Sequence, residues 1–186
     1  RGDAIVRTSR FDSIRDCGEG AVAVGPGVAL ITLQEHLRER GAFYPPAPTY
    51  TGAFVGGTVG TNAAGAATWK YGATRDWVDA LTVVLACGDV LEVRRGQVHA
   101  SAEGTFVVVR PSGEELSVPI PPYTMPDVPK RSAGYHAAPG MDLIDLFIGS
   151  EGPLGVITEV ELRVLSREPS VLLCFCSTKS EAQAIE

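Results

Sequence analysis

Two glycine-rich segments contain the residues whose types and spacing are best suited to chemistry. Residues 56–66 read GGTVGTNAAGA, and residues 149–158 read GSEGPLGVIT. Glycine lets a backbone approach a ligand closely, and the short side chains leave peptide N–H groups open to phosphate or ring acceptors. Each segment alone could be an ordinary surface turn. Two of them, about ninety residues apart, predict one flat, polar, phosphorylated ligand held from two sides.

Other familiar site patterns are missing from the sequence. Neither glycine-rich segment has the GxGxxG spacing of a Rossmann unit or the GxxxxGK[ST] spacing of a P-loop. No metal site is predicted, because the cysteines form no CxxC pair and the histidines do not cluster. Reduced, structural thiols are expected at the four cysteines, which are Cys17, Cys87, Cys174 and Cys176.

The composition is typical of a compact protein without a nucleic-acid partner. Hydrophobic residues make up 45% of the 186 residues, charged residues make up 20%, and the formal net charge is −6. Scattered basic residues on an acidic chain argue against nucleic-acid binding. No apolar run is long enough for a membrane span and no signal peptide is recognised, so a cytoplasmic location is expected.

The pattern of elements predicts an α+β fold. Strands are expected at residues 4–6, 21–24, 81–86, 90–93, 98–100, 105–109, 116–118 and 156–164. Residues 32–40 predict a helix capped by Thr32 and ended by Gly41, and residues 141–148 predict a second helix. Residues 119–139 predict a long loop, and residues 170–177 and 178–186 a strand followed by a helical turn. In the last long strand, Ile157 is the apolar exception on a face of charged residues.

Five segments in one order resemble a known family. They are residues 24–27 (VGPG), 43–48 (FYPPAP), 56–65 (GGTVGTNAAG), 70–76 (KYGATRD) and 142–158. Together they resemble the FAD-binding domain of FAD-linked oxidases of the vanillyl-alcohol-oxidase/PCMH type, near the group of glycolate oxidases, D-lactate dehydrogenases and alkylglycerone-phosphate synthase. The resemblance extends from about residue 4 to about residue 166.

The resemblance implies a fold and a division of the chain. The fold would be an α+β, PCMH-type FAD-binding domain, a mixed or antiparallel sheet flanked by helices, here in partial form. Residues 1–168 would form this domain without its N-terminal pyrophosphate loop, and residues 169–186 would begin the substrate-side domain. The chain alone is therefore expected to retain FAD weakly.

The resemblance also implies which residues contact FAD. They are Pro48, Thr49, Gly56, Gly57, Thr61, Asn62, Ala63, Ala64, Gly65, Glu151, Gly152, Gly155, Val156 and Ile157. One departure is Pro153, where the family usually has threonine, because proline lacks both the hydroxyl and the N–H. No catalytic residue is assigned, although Lys130, Tyr135 and His136 lie near the proline-rich loop.

The predicted function is that of part of an FAD-dependent oxidoreductase. Its substrate would be a small molecule, expected to be a 2-hydroxy acid such as glycolate or D-lactate, with an electron acceptor or a subunit as further partner. The alternatives are a non-catalytic scaffold with a flavin fold, and an enzyme similar to alkylglycerone-phosphate synthase or to UDP-N-acetylenolpyruvoylglucosamine reductase. Whether the flavin is covalently attached is left open.

Overall fold

The chain folds into an antiparallel sheet with short helices and two small β-ribbons, which confirms the predicted α+β class. The computed structural model describes residues 5–18, 20–128, 134–167, 170, 172 and 174–185. The strands are β1 (Ile14–Asp16), β2 (Ala21–Val24), β3 (Ala42–Phe43), β4 (Val78–Val84), β5 (Val90–Arg94), β6 (Thr105–Val109), β7 (Glu115–Pro119), β8 (Val156–Arg163) and β9 (Leu165–Ser166). The α-helices are α1 (Leu30–Arg38), α2 (Val55–Gly60), α3 (Thr68–Tyr71), α4 (Ile144–Phe147) and α5 (Glu181–Ile185), and Thr74–Trp77 is a 3₁₀ turn.

The central sheet has five strands in the order β1-β2-β8-β4-β5, and every neighbouring pair is antiparallel. The strands predicted at residues 81–86 and 90–93 correspond to β4 and β5, which pair as a hairpin. One face of the sheet is buried: Leu81 lies opposite both Val93 and Val160, and Val22 lies opposite Leu162. Strands β3 and β9, and strands β6 and β7, form the two separate ribbons.

A bulge between β4 and β8 explains why Ile157 is apolar. The register shifts by one residue between Thr82, which lies opposite Glu159, and Val83, which lies opposite Ile157. An extra residue in one strand reverses the alternation of faces. Ile157 therefore lies on the buried face with Val83, instead of on the charged face that strict alternation would give it.

Helix α1 begins two residues before the predicted start at Thr32. Its N-cap residue is Ala29, which makes no side-chain cap. Instead, the N–H groups of Leu30 and Ile31 donate to the carbonyls of Ala53 and Thr51, each at 2.9 Å. Backbone acceptors that are distant in sequence thus replace the side-chain cap, and a search for Thr or Ser cannot find them.

Several other predicted elements need correction. Ile5 and Val6 are not in a strand, and Ala4 lies outside the described residues. Residues 98–100 contribute one isolated bridge, from His99 to Asp142, and the helix predicted at residues 141–148 shortens to α4. Among the described residues of 170–177 none is in a strand. All four cysteines are free and exposed, so they do not have the structural role expected of them.

Candidate functional site: a groove between two glycine-rich segments

The first glycine-rich segment forms helix α2 rather than an open loop. Three of its six residues are glycine, which disfavours a helix by about 1 kcal/mol each. The helix is stabilised from outside: Val55 N–H donates to the Val28 carbonyl and Gly56 N–H to the Pro26 carbonyl, both at 2.9 Å. Val55 and Val59 are buried in the core. Gly56 has no room for a side chain, because a Cβ there would lie 2.5 Å from the Pro26 Cβ.

Asn62 ends helix α2 in a left-handed conformation, with φ of 45°. Its N–H donates to the Val59 carbonyl at 3.1 Å, and Ala63 N–H donates to the Thr58 carbonyl at 2.8 Å, which is the hydrogen-bond pattern of a Schellman motif. The Asn62 side chain is buried, and its Oδ1 accepts a hydrogen bond from the Arg75 backbone N–H at 2.9 Å. Asn62 therefore shapes the backbone that follows α2.

The second glycine-rich segment is joined directly to the first. Gly149 N–H donates to the Val59 carbonyl at 2.9 Å, and Glu151 N–H donates to the Gly60 carbonyl at 2.8 Å. Pro153 takes the second position of a turn in which Gly155 N–H approaches the Gly152 carbonyl at 3.4 Å, a position that favours proline. The prediction that the two segments meet is confirmed.

Between these segments lies a groove of about 460 Å³, which we call the glycine groove. Its lining residues are Thr8, Pro26, Gly56, Gly57, Gly60, Thr61, Phe147, Ser150, Glu151, Gly152, Gly155, Val156 and Ile157. A Cβ built on Gly57, Gly60 or Gly152 would meet no protein atom within 4 Å. These three glycines therefore leave open space that side chains would fill.

Eight of the fourteen residues predicted to contact FAD line the glycine groove. They are Gly56, Gly57, Thr61, Glu151, Gly152, Gly155, Val156 and Ile157. The other six, Pro48, Thr49, Asn62, Ala63, Ala64 and Gly65, do not line it. Gly65 has a packing role, because a Cβ there would collide with the Ala47 carbonyl. Their contacts with FAD stay predictions.

A buried ion cluster behind the glycine groove was not predicted. The Arg75 Nη1 donates to the Asp145 carbonyl at 2.6 Å and to Asp145 Oδ1 at 3.0 Å, and Arg75 Nη2 donates to the Ile148 carbonyl. Arg95 Nη2 reaches the same Oδ1 at 3.1 Å and the Arg75 carbonyl at 3.0 Å. Residues 70–76 gave the resemblance to the family, but no sequence spacing connects Arg75 to Asp145, seventy positions later.

The cluster keeps Asp145 ionised despite its burial. Burial acts to raise the pKa of the Asp145 carboxyl, but the hydrogen bonds and charges of Arg95 and Arg75 outweigh it and hold that pKa below its ordinary value. Burial also lowers the pKa of the Arg75 guanidinium, an effect that the Asp145 carboxylate opposes. The Asp145 carboxylate and the Arg75 guanidinium therefore each favour the charged form of the other.

Two residues named near the proline-rich loop, Tyr135 and His136, do not line the glycine groove. Tyr135 is half-buried, and its carbonyl accepts a hydrogen bond from the Tyr123 hydroxyl. His136 lies outside the groove lining as well, and Lys130 lies outside the described residues. Within the described part of the chain, no cluster of three His, Cys, Asp or Glu side chains could hold a metal ion. In that same part, no helix has the length and apolar character needed to cross a membrane.

The chain is similar in sequence to several known proteins. D-lactate dehydrogenase of Anaerostipes hadrus is 36% identical over 151 residues, which are 81% of this chain and 24% of that protein. D-2-hydroxyglutarate dehydrogenase of Stutzerimonas stutzeri is 32% identical over 174 residues, which are 92% of this chain and 29% of that protein. Glycolate oxidase subunit GlcD of Bacillus subtilis is 32% identical over 145 residues, 77% of this chain and 23% of that protein.

A solved structure shares the fold. Alkyldihydroxyacetonephosphate synthase superposes with a TM-score of 0.56 at 20% identity, covering 85% of this chain and 24% of that one. The chain thus spans about a quarter of the length of the proteins it matches. Residues 1–94 match the family described as FAD binding domain. The chain therefore belongs to this family of PCMH-type FAD-binding domains, and its cofactor is FAD.

Proposed function

We propose that this chain is the flavin-binding part of an FAD-dependent oxidoreductase that oxidises a small 2-hydroxy acid, and that the glycine groove holds the FAD. The observation that carries the proposal is the meeting of the two glycine-rich segments, through the Gly149–Val59 and Glu151–Gly60 hydrogen bonds, around a groove of about 460 Å³. That volume lies within the range of cofactor sites, about 300–1,000 Å³.

The lining of the groove fits a flat, phosphorylated ligand. Backbone at Gly57, Gly60 and Gly152 is uncovered, because no side chain stands above it. Within the described residues, the N–H groups of Gly57 and Gly152 have no hydrogen-bond partner and can donate to a bound ligand. Phe147 and Ile157 offer apolar surface beside these polar groups. Such a mixture of apolar surface and few polar groups is typical of cofactor sites.

Each part of the groove has a separate role in this proposal. Gly57 and Gly60 allow the ligand to approach the α2 backbone. Thr61 forms the edge of the groove at the C-terminal end of α2, where its hydroxyl donates to the Gly57 carbonyl at 2.9 Å. Gly155 must be glycine for the groove to keep its shape, because a Cβ there would lie 2.5 Å from Val83 Cγ1. Bound FAD supplies the two-electron acceptor, and the chain supplies its binding and orientation.

The substrate class follows from the relatives, and is proposed on that basis. The relatives are named for D-lactate, D-2-hydroxyglutarate and glycolate. Oxidation of such an acid removes two electrons and two protons from the C–OH group and gives the 2-oxo acid. A cytoplasmic location, an electron-acceptor or subunit partner, and a boundary with a substrate-side domain at residue 168 are parts of the same proposal; residue 168 lies outside the described residues.

The test uses the complete gene product, purified with flavin available during expression. We expect a yellow protein that reduces a dye acceptor with D-lactate, glycolate or D-2-hydroxyglutarate, and L-lactate is the stereochemical control. A colourless protein that takes up no FAD would contradict the binding proposal. A yellow protein that is inactive with every 2-hydroxy acid would contradict the substrate proposal and leave the binding proposal standing.

A further inference from the structure

Arg75 joins the two walls of the glycine groove from behind. Its backbone N–H donates to Asn62 Oδ1 at 2.9 Å, at the end of the first wall. Its guanidinium donates to the carbonyls of Asp145 and Ile148, just before the second wall begins at Gly149. No other described arginine side chain donates to the Ile148 carbonyl. Arg75 thus holds both glycine-rich segments with one residue.

The contact is tight on the side of the second segment. A Cβ built on Gly149 would lie 3.4 Å from Arg75 Nη2 and 3.2 Å from the Asn62 Cβ. The Arg75 side chain is only 15% exposed and the Asp145 side chain 12%. Two carbonyls and a carboxylate therefore fix the guanidinium in a planar arrangement that an ammonium group cannot reproduce.

We propose that Arg75 is a positioning residue for the cofactor: its guanidinium sets the spacing between α2 and the second glycine-rich segment, and so sets how tightly the groove binds FAD. The inference rests on the proposed function, since it assumes that FAD occupies the glycine groove. Arg75 does not line the groove, and it acts through the backbone at Asn62 and Ile148.

The test compares three variants of the complete gene product: Arg75→Gln, Arg75→Lys and Arg163→Gln. Arg163 is a control with the same kinds of contact at a more exposed position: it also donates to a backbone carbonyl, that of Asp76, and pairs with a carboxylate, Asp79 Oδ1, at 3.1 Å. Neither Arg163 nor its partners line the glycine groove. Measurements are the FAD dissociation constant of the folded apo-protein and the visible circular dichroism of the bound flavin.

We expect both Arg75 variants to raise the FAD dissociation constant by about tenfold or more and to change the flavin dichroism, since a site loses affinity when the residues that hold its contact groups in place are removed. Lysine keeps the charge and loses the planar contacts, so it should not restore binding. Arg163→Gln should change stability little, because its side chain is half exposed, and should leave both flavin readouts unchanged. Wild-type affinity in either Arg75 variant, or an equal loss in Arg163→Gln, would overturn the inference.

A further variant tests the same contact from its carboxylate side. Asp145→Asn keeps the shape of the residue and the carbonyl acceptors of Asp145 and Ile148, but it removes the charge that holds Arg75. It should weaken FAD binding in the same direction and by less, and an unchanged affinity in the folded variant would overturn the inference. Wild-type protein that binds no FAD would refute the proposed function, and this inference with it.

Discussion

The substitution Gly57→Ala should stabilise the fold and weaken flavin binding at the same time. Gly57 lies in helix α2, is not among the glycines with positive φ, and has no protein atom within 4 Å of a built Cβ. Glycine to alanine in a helix gains up to about 1 kcal/mol. The flavin-free protein should therefore unfold at a higher denaturant concentration.

The new methyl group occupies space that we assign to FAD. Overpacking of a filled site costs about 1–3 kcal/mol. Because 1.4 kcal/mol is a factor of ten, the FAD dissociation constant should rise by roughly 5- to 150-fold. Few substitutions move stability and affinity in opposite directions, so a general loss of structure cannot imitate this result.

Urea unfolding of the apo-protein and FAD titration by flavin fluorescence measure the two effects. Thr32→Ala is the control. Alanine has a higher helix propensity than threonine, and Thr32 lies on the exposed face of α1, outside the groove lining. The control should gain stability and keep the wild-type affinity. An unchanged FAD dissociation constant in Gly57→Ala would refute the assignment of the groove to FAD. A lower free energy of unfolding would contradict the finding that a side chain at Gly57 meets no protein atom.

Three further substitutions test other parts of the structure. Gly155→Ala should destabilise the fold by about 1–3 kcal/mol in urea unfolding, because its Cβ would lie 2.8 Å from the Val84 carbonyl; wild-type stability would contradict that packing. Asp145→Asn should cost on the order of 3 kcal/mol at neutral pH. Because the folded pKa of Asp145 is lowered, this difference from wild type should shrink as the pH falls below its ordinary value of 3.8, and a constant difference would contradict the cluster. Leu33→Ala in the fully buried face of α1 should cost about 2–5 kcal/mol, and a loss under 1 kcal/mol would contradict its place in the core.

Four of the five strands of the central sheet could be predicted, because apolar patterns and turn residues are local signals, whereas β1 (Ile14–Asp16) was missed. β2, β4, β5 and β8 all lie where apolar alternation predicted them, within a few residues. The bulge between β4 and β8 could not be predicted. The one sign of it in the sequence is the apolar Ile157 among charged neighbours. A bulge depends on the partner strand, which the sequence of one strand does not specify.

The meeting of the two glycine-rich segments could be predicted from their composition, but the helical form of the first segment could not. The glycine-rich segments were recognised as two walls of one site, but helix α2 has low intrinsic propensity and is supported by the carbonyls of Val28 and Pro26. Asn62 stays a predicted flavin ligand, and the structure adds that it ends α2 and accepts a hydrogen bond from the Arg75 N–H. The Arg75–Asp145 pair is a contact between distant segments, which no single-sequence spacing reveals.

Hydrogen exchange of the complete gene product, with and without FAD, tests the central claim most directly. If FAD lies in the glycine groove, it should slow amide exchange in residues 56–61 and 150–157 together, including the Gly57 and Gly152 amides that have no partner within the described residues. Protection by FAD elsewhere in the protein, with both of these segments unchanged, would contradict the account.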